Sequence, residues 1–132
     1  PAEHALSGVE VAELLGQPKE RVFKTLVTVG KPRQYYVFMI PVAEELNLKM
    51  AASAAGEKSI EMIKAKDLLP LTGYVHGGCS PIGMKKVFPT YIHDTALSFD
   101  SILFSAGRIG FQVELSLVDL QKVVNVRPAT LI

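Results

Sequence analysis

The segment from residue 73 to residue 83 constrains the fold of this chain more than any other part of the sequence. It contains four glycines and one proline within eleven residues. Glycine weakens regular elements by its backbone freedom, and proline lacks the amide hydrogen that helices and sheets use. The segment therefore predicts an ordered loop, called the glycine loop below, around which the regular elements are arranged.

Helix and strand patterns flank the glycine loop on both sides. The first predicted helix begins at the capping-box residue Ser7, places Val11, Ala12, Leu14 and Leu15 on one face and stops at Gly16. The second spans 48–55 and ends at Gly56, and a helical turn at 65–69 is closed by Pro70. The last helix is capped by Ser116 and has Leu117, Leu120, Val123 and Val124 on one face. The predicted strands are a hairpin of 21–29 and 34–40, and further strands at 59–63, 87–93, 101–105 and 110–115.

The order of these elements predicts the fold class. Helices and strands are interspersed without a strict βαβ rhythm, which favours an α+β fold with a mixed, curled sheet. The length of 132 residues and the lack of a linker-like segment predict a single domain over residues 1–132. The chain begins at Pro1 rather than at a methionine, which fits a fragment whose first element is missing.

Composition excludes several classes of protein. With 48% hydrophobic and 20% charged residues, the chain does not have the composition of a disordered protein. The one cysteine allows no intramolecular disulfide, which favours a reducing, cytoplasmic location. No apolar run is long enough to span a membrane. The net charge of +1 gives no strong field for a polyanion, so a nucleic-acid partner would need a local patch or a second protein.

Lys24 is the first candidate functional residue. Strand alternation separates two sets of side chains, Val22, Lys24 and Leu26 on one face and Phe23, Thr25 and Val27 on the other. Both faces are largely apolar, so burying the ammonium costs free energy unless it finds a partner. The alternative is that the side chain reaches solvent near the strand end.

The glycine loop resembles two catalytic patterns and matches neither. Lys85 comes one position too late for a phosphate-binding P-loop, and no serine or threonine follows it. Ile82 replaces the last glycine of a nucleophile elbow. Backbone amides of such a loop can converge on a carbonyl oxygen or an oxyanion. The alternative is a tight turn with a purely structural role.

Cys79 and Ser80 suggest a nucleophile, with His76 as the nearest base. A spacing of a few residues in an irregular loop does not ensure the required geometry, and a packed, inert thiol is the preferred interpretation. His76 and Cys79 also have metal-ligand spacing, but no second ligand pair accompanies them, so we predict no metal site and no cofactor. Lys85, Lys86 and Arg108 could contact phosphates or form an ordinary charged surface.

Four runs of the sequence resemble, in the same order, the YbaK/EbsC family. They are VFKTL at 22–26, PVA at 41–43, GYVHGGCSPIGMKK at 73–86 and SAGRIGFQVEL at 105–115. The resemblance covers nearly the whole chain. It implies a mixed sheet curled into a partial barrel and surrounded by short helices, as in the editing domain of prolyl-tRNA synthetase.

The resemblance also implies an activity, the removal of a mischarged amino acid from transfer RNA. The best-known members act on cysteine attached to tRNA(Pro), and relatives act on alanine. The implied partners are the acceptor end of a mischarged tRNA and prolyl-tRNA synthetase. A noncatalytic module that binds a nucleotide or an RNA end is a further alternative.

The resemblance implies roles for individual residues. Lys24 matches the essential lysine of the family and is expected to bind the terminal adenosine or a phosphate. The backbone amides of Gly77 and Gly78 are expected to polarise the ester carbonyl. Substrate contacts are expected from Thr25, Cys79, Ser80, Pro81, Gly107, Arg108 and Gln112. Cysteine-editing members have an aspartate where this sequence has Gln112, which leaves the amino acid open.

Overall fold

The computed structural model describes residues 8–132. Ser7, the predicted first cap, and the side chain of Val11 lie outside this description. The helices are α1 Gly8–Leu14, α2 Leu48–Ala55, α3 Ala65–Thr72 and α4 Leu117–Val123, with 3-10 turns at Lys19–Arg21 and Asp94–Ser98. The strands are β1 Phe23–Val29, β2 Tyr35–Pro41, β3 Glu61–Met62, β4 Thr90–His93, β5 Ile102–Ser105, β6 Gln112–Leu115 and β7 Val126–Ala129.

The strands form a mixed sheet that curls toward a small second sheet. Five strands lie in the order β3-β1-β2-β4-β7, and β5 pairs with β6. β1 is antiparallel to β2 and β3, whereas β2, β4 and β7 run parallel. A parallel bridge from Val22 to Leu103 joins the two sheets. The predicted α+β fold with a curled, partial-barrel sheet is confirmed.

The faces of the sheet bury two main apolar clusters. Met39, Ile92 and Phe104 pack with Leu120 of α4 on one face. On the other face, Phe38, Ile40 and Leu131 pack with Ala51 and Ala52 of α2. The alternation of Phe38, Met39 and Ile40 between the two clusters is the period of two that a strand buried on both faces requires.

Local signals located several element ends correctly. Asn47 caps α2 by accepting from the amides of Lys49 and Met50, and Gly56 ends it in the left-handed conformation with φ of 75°. Ser116 caps α4 by accepting from the amide of Asp119 at 3.1 Å. The cap chemistry therefore lies in the sequence itself.

The two apolar helix faces were predicted too wide. In α1, Ala12 is buried, but Leu14 and Leu15 are 77% and 46% exposed because the helix ends at Leu14. In α4, Leu117 and Leu120 are buried, whereas Val123 is 63% exposed. Short helices present only about two turns to the core, so their last apolar residues extend past it.

Two proline positions were predicted wrongly or missed. α3 continues through Pro70 to Thr72, and Gly73 caps it with an amide that donates to Leu69 O at 2.8 Å. Lys66 and Pro70 are exposed, so water can donate to the Lys66 carbonyl, which lacks an amide donor because Pro70 has none.

Strand β7, which contains Pro128, was not predicted. It lies at the edge of the sheet, where a strand tolerates proline.

The strand predicted at 87–93 begins only at Thr90, and Val87 is 96% exposed. The strand predicted at 59–63 is reduced to Glu61–Met62. This short β3 pairs with Thr28 and Val29 only, so residues 24–26 of β1 have a neighbouring strand on one side alone.

Within the described part of the chain, no helix has the length and hydropathy needed to cross a membrane.

Candidate active site

The unpaired edge of β1 opens into a cavity of about 130 Å³. β1, the glycine loop and the β5–β6 hairpin surround it. Its polar lining side chains are Lys24, Thr25, His76, Cys79, Ser105 and Gln112. The remaining lining residues are apolar or glycine, and none of the described residues that line the cavity carries a carboxylate.

Lys24 lies half-buried on β1, opposite Ile40 of β2. Its ammonium forms no hydrogen bond or ion pair with any residue between 8 and 132. A cation in a cavity without a carboxylate produces a local positive potential, although the net charge of the chain is only +1. The cavity therefore suits an anionic ligand.

Thr25 and Gln112 both line the cavity, and each carries one unsatisfied oxygen atom. Thr25 Oγ1 and Gln112 Oε1 are buried, and neither has a hydrogen-bond partner in the described structure. Thr25 reaches the cavity from β1, and Gln112 from the first position of β6, opposite Ser105. Buried polar atoms without a partner are uncommon and costly, so their position in a cavity is typical of a binding site.

The glycine loop contributes Gly77 to the cavity, but Gly78 has another role. Gly77 has φ of 85° and lines the cavity. The amide of Gly78 donates to Val75 O at 3.0 Å within the loop, so it is not free to polarise a substrate carbonyl. A Cβ on Gly78 would lie 3.2 Å from Ile109 N, which shows that the loop packs tightly on the hairpin. In this structure the Gly78 amide is therefore used within the loop, and the catalytic role expected for it stays a prediction.

The amides of Gly77 and Cys79 form no hydrogen bond with the described residues. Both residues line the cavity, one position on either side of Gly78. Two unpaired amides near one cavity resemble the donors of an oxyanion hole. Sequence reasoning expected such donors at Gly77 and Gly78; the hydrogen bond of the Gly78 amide inside the irregular loop leaves no pattern in the sequence.

Other predicted site residues lie outside the cavity lining. Gly107 has φ of 100°, and a Cβ there would meet the Tyr74 ring at 2.9 Å. The Arg108 guanidinium lies 5.0 Å from the centroid of the exposed Phe111 ring. These two residues shape the turn of the β5–β6 hairpin next to the cavity.

Ser80 and Pro81 are buried in the glycine loop. Ser80 Oγ accepts from the amide of Ile82 at 3.2 Å, and Pro81 lines a different cavity. Neither residue reaches the cavity beside Lys24. The structure thus brings together Lys24, Thr25, Gly77, Cys79 and Gln112, and it adds His76, Ser105 and Gly110, which the site prediction had left out.

Cys79 does not have the environment of a nucleophile. Burial raises the pKa of its thiol to about 11, although a hydrogen bond with Thr72 acts in the opposite direction. The thiolate is therefore scarce at neutral pH. His76 is exposed and has no hydrogen bond with Cys79 or Ser80. Among the described residues, no group of histidine, cysteine and carboxylate side chains could hold a metal ion.

Arg21 fixes the end of the cavity where the two sheets meet. Its guanidinium donates to Ser101 O at 2.9 Å and Ser101 Oγ at 2.8 Å, and it pairs with Glu114 at 2.5 Å. The hydrogen bond from Ser101 and the charge of Arg21 lower the pKa of the Glu114 carboxyl. This cluster ties the start of β1 to β5 and β6, and thereby sets the separation between Lys24 and Gln112.

The family model for the aminoacyl-tRNA editing domain matches residues 2–123. A protein of Enterococcus faecalis (strain ATCC 700802 / V583), named "Putative Cys-tRNA(Pro)/Cys-tRNA(Cys) deacylase EbsC", is 52% identical over 115 residues, which cover 87% of this chain and 70% of that protein. A proline–tRNA ligase of Thermosipho africanus (strain TCF52B) is 31% identical over 78 residues, which are 59% of this chain and 14% of the ligase.

A solved structure has the same fold. It is described as the "Crystal structure of a putative trans-editing enzyme for prolyl tRNA synthetase", and it superposes with a TM-score of 0.86 at 23% identity. The superposition covers 99% of this chain and 82% of that one. At this identity, the likeness concerns the fold alone.

Proposed function

The chain belongs to the family of aminoacyl-tRNA editing domains, and from this premise we propose that it is a trans-acting deacylase that removes a mischarged amino acid from tRNA(Pro). The observation that carries the proposal is the cavity itself. Lys24, Gly77 and Cys79 line a space in which no described lining residue carries a carboxylate. The Lys24 ammonium and the amides of Gly77 and Cys79 have no partner in the described structure. An aminoacyl ester beside a phosphate offers the acceptors that these donors need.

In this proposal, Lys24 binds the acceptor end. Its compact ammonium attracts a phosphate or the ribose oxygens of the terminal nucleotide, with little competition because no carboxylate shares the cavity. The half-buried position strengthens the attraction, since the local dielectric is lower than in water. Lys24 therefore positions the ester and does not attack it.

The amides of Gly77 and Cys79 would donate to the ester carbonyl oxygen as negative charge develops on it. Water then adds to the carbonyl carbon, the bond from that carbon to the ribose oxygen breaks, and a proton passes to the ribose oxygen. With a cysteinyl ester, the sulfur of the substrate can instead attack the same carbon. The bond from that carbon to the ribose oxygen breaks, the thiol proton passes to the ribose oxygen, and the aminoacyl group leaves as a cyclic thioester. Neither route needs a protein nucleophile, which agrees with the buried, protonated thiol of Cys79.

Cysteine is the first choice for the amino acid. The support is the relative named for Cys-tRNA(Pro) and Cys-tRNA(Cys), which is 52% identical to this chain over 115 residues. Alanine is the alternative, because the Gln112 side chain stands where cysteine-editing proteins of this type carry an aspartate. The proposed partners are the tRNA acceptor end and prolyl-tRNA synthetase, in the cytoplasm, with no cofactor.

The test is a discharge assay with tRNA(Pro) charged with cysteine, alanine or proline. We expect the parent protein to discharge cysteinyl- or alanyl-tRNA(Pro) and to spare prolyl-tRNA(Pro). Lys24→Ala should lower the rate by roughly 100-fold or more, the scale on which single electrostatic contacts act in such sites. Lys58→Ala, which removes an exposed lysine away from the cavity, is the matched control and should retain the parent rate.

An unchanged rate in Lys24→Ala would place the site elsewhere. Binding of every charged tRNA without discharge by the parent would identify a noncatalytic module instead.

Cys79→Ser separates the deacylase from a thiol enzyme. Cys79 lines the cavity, and the substitution keeps its backbone amide while replacing the thiol with a hydroxyl. We expect the discharge rate to stay within roughly 10-fold of the parent, because the thiol has no covalent role; loss of a true nucleophile costs far more. A loss as large as that of Lys24→Ala would contradict the mechanism.

A further inference from the structure

We propose that the exposed ring of Phe111 binds the terminal nucleobase of the tRNA acceptor end by stacking, just outside the cavity. The inference rests on the proposed function, and it assigns a part of the substrate that neither Lys24 nor the loop amides contact. Three observations carry it: the exposure and fixed backbone of Phe111, the unpaired charge of Arg108 beside the ring, and the small size of the cavity.

The chain has six phenylalanines and four tyrosines, and Phe111 is the only one of them that is exposed, at 55%. A single exposed apolar residue is common on a protein surface and by itself indicates no ligand. Phe111 differs because its backbone is held on both sides. Its amide donates to Arg108 O at 3.0 Å, and its carbonyl accepts from the amide of Ala106 at 2.9 Å. The turn therefore presents the ring from a fixed backbone position, which lowers the entropy cost of binding.

The position of Phe111 in the hairpin turn relates it to the cavity. Its two sequence neighbours, Gly110 and Gln112, line the cavity. The glycine loop packs against the same turn, since a Cβ on Gly78 would lie 3.2 Å from Ile109 N. Phe111 is therefore one residue away from the cavity lining on either side, in a turn that packs on the loop with the proposed carbonyl donors.

Arg108 indicates the chemical class of the ligand. Its guanidinium lies over the Phe111 ring, 5.0 Å from the centroid, and forms no ion pair or hydrogen bond with residues 8–132. A nucleotide offers a planar base for the ring and a phosphate for the unpaired cation. Unstacked bases of single-stranded RNA ends bind aromatic rings and arginine planes in this way. An apolar protein segment would cover the ring but leave the cation without a partner.

The size of the cavity determines which base lies near the ring. Its volume is about 130 Å³, whereas pockets that enclose drug-sized ligands have roughly 300–1,000 Å³. An aminoacyl-adenosine is a ligand of that size, so the cavity can enclose only a part of it. With the ester carbonyl at the amides of Gly77 and Cys79, the enclosed part is the aminoacyl group. The base of the same nucleotide then remains outside, within reach of Phe111.

Two probes that cannot be discharged test the stacking. The first is 3′-amino-3′-deoxyadenosine carrying alanine through an amide, and the second is the same alanyl amide on the methyl riboside, which lacks the base. Their dissociation constants are measured by NMR titration. The parent should bind the adenosine probe roughly 10-fold more tightly than the riboside probe, the scale on which stacking between a base and an aromatic ring acts.

Phe111→Leu keeps an apolar side chain but removes the aromatic face, so it should bind the two probes with nearly equal affinity. Phe111→Tyr, the matched control, keeps the ring and should retain the preference for the adenosine probe. Because Phe111 is exposed, neither substitution opens a cavity in the core. Leu97→Ala removes another exposed apolar side chain, one outside the cavity lining, and should leave both affinities unchanged.

A preference for the adenosine probe that persists in Phe111→Leu overturns the inference. Equal weakening of both probes in this variant also overturns it, because Phe111 would then shape the cavity instead of binding a base. A defect in Phe111→Leu that emerges only when prolyl-tRNA synthetase is added would identify a protein contact at the ring and overturn the inference as well.

The discharge assay on the same preparations distinguishes the inference from the proposed function. With the aminoacyl-tRNA(Pro) that the parent discharges, Phe111→Leu should lower kcat/KM by roughly 10-fold, mainly through KM, because stacking binds ground state and transition state alike. Discharge by the parent with an equal kcat/KM in Phe111→Leu overturns only the role of Phe111. The absence of discharge by the parent, with the base preference of the probes retained, overturns the proposed function alone.

Discussion

The two ends of strand β1 differ in how their polar groups are satisfied. At the end near Val29, β3 covers the outer edge of the strand, and the amide of Ile63 donates to Val27 O. Thr28 Oγ1 donates to Tyr36 O at 3.0 Å. At the other end, Lys24 and Thr25 face a cavity and have no side-chain partner in the described chain.

Within the seven residues of this strand, the polar groups at one end stabilise the fold and those at the other end are available to bind a ligand. Satisfied polar groups stabilise the fold, whereas unsatisfied groups lower its stability and are kept where a ligand can pair with them. Val22 lines the cavity and bridges to Leu103, and the Arg21 cluster next to it holds the open end in place. Substitutions at the satisfied positions should therefore affect unfolding, and those in the cavity should affect substrate.

Arg21→Met should give the largest loss of stability. The substitution keeps an apolar stem but removes the donors to Ser101 and the partner of Glu114. We expect the free energy of unfolding at pH 7 to fall by roughly 1.5–3 kcal/mol through the loss of the part-buried bonds to Ser101, the range for hydrogen bonds to charged groups. Urea unfolding of the variant and the parent measures the difference.

The pH dependence of this difference provides the check. Because the pKa of Glu114 is lowered in the folded chain, its contribution is present above the ordinary value of 4.5 and is lost as pH falls through the lower folded value. The difference in unfolding free energy between the parent and Arg21→Met should therefore become smaller as pH falls through the lowered folded-state pKa of Glu114. A gap that widens there would contradict the assignment.

Tyr36→Phe tests the closed end of β1 and should have a smaller effect. Tyr36 OH donates to Glu57 at 2.5 Å, and the variant leaves this carboxylate with only the amide of Lys31. We expect a loss of about 1 kcal/mol in the free energy of unfolding near pH 7, without a change in the discharge rate.

The hydrogen bond to Glu57 raises the pKa of Tyr36 from 10.0 to about 12. A raised pKa means that the stabilisation is complete below pH 10 and is lost as pH rises toward 12. The difference between parent and variant should shrink over that interval. If Tyr36→Phe lowered the discharge rate instead, the separation of the two ends would fail.

Thr25→Val tests the open end and should have the smallest effect on stability, with the opposite sign. The substitution replaces a buried, unsatisfied hydroxyl with a methyl group of similar shape. We expect the free energy of unfolding to rise by up to about 1 kcal/mol, while binding of a non-dischargeable amide analogue of alanyl-adenosine weakens. Thr25→Ser, which keeps the hydroxyl, is the matched control. A variant that loses stability would show that Thr25 has a structural role.

Much of the local structure could be predicted from the sequence. The hairpin of β1 and β2, the Gly56 stop and the Ser116 cap depend on neighbouring residues, and the structure confirms them. The parallel pairing of β2 with β4 and of β4 with β7 depends on contacts between distant segments, which no local pattern encodes. The edge strand β7 contains Pro128, a residue that normally argues against a strand.

The candidate site, like the fold, could be predicted from the sequence only in part. The order of the motifs indicated that Lys24, Thr25, Gly77 and Gln112 belong together, and the structure places them around one cavity. The sequence could not show that the amide of Gly78 is used within the loop, or that the glycine packs on the hairpin turn. These facts depend on a hydrogen bond and a close approach that arise only once the loop has folded.

The central claim is that the open end of β1 binds the aminoacyl end of the substrate. The most direct test is an NMR titration of the 15N-labelled protein with 3′-amino-3′-deoxyadenosine carrying alanine through an amide, which cannot be discharged. Backbone amides are observed along β1, in the glycine loop and in β6. The account predicts saturable shifts at Lys24, Thr25, Gly77 and Gln112, and none at Thr28 or Gly30. Shifts confined to the closed end, or saturable binding that leaves the amides of Lys24 and Gln112 unchanged, would contradict it.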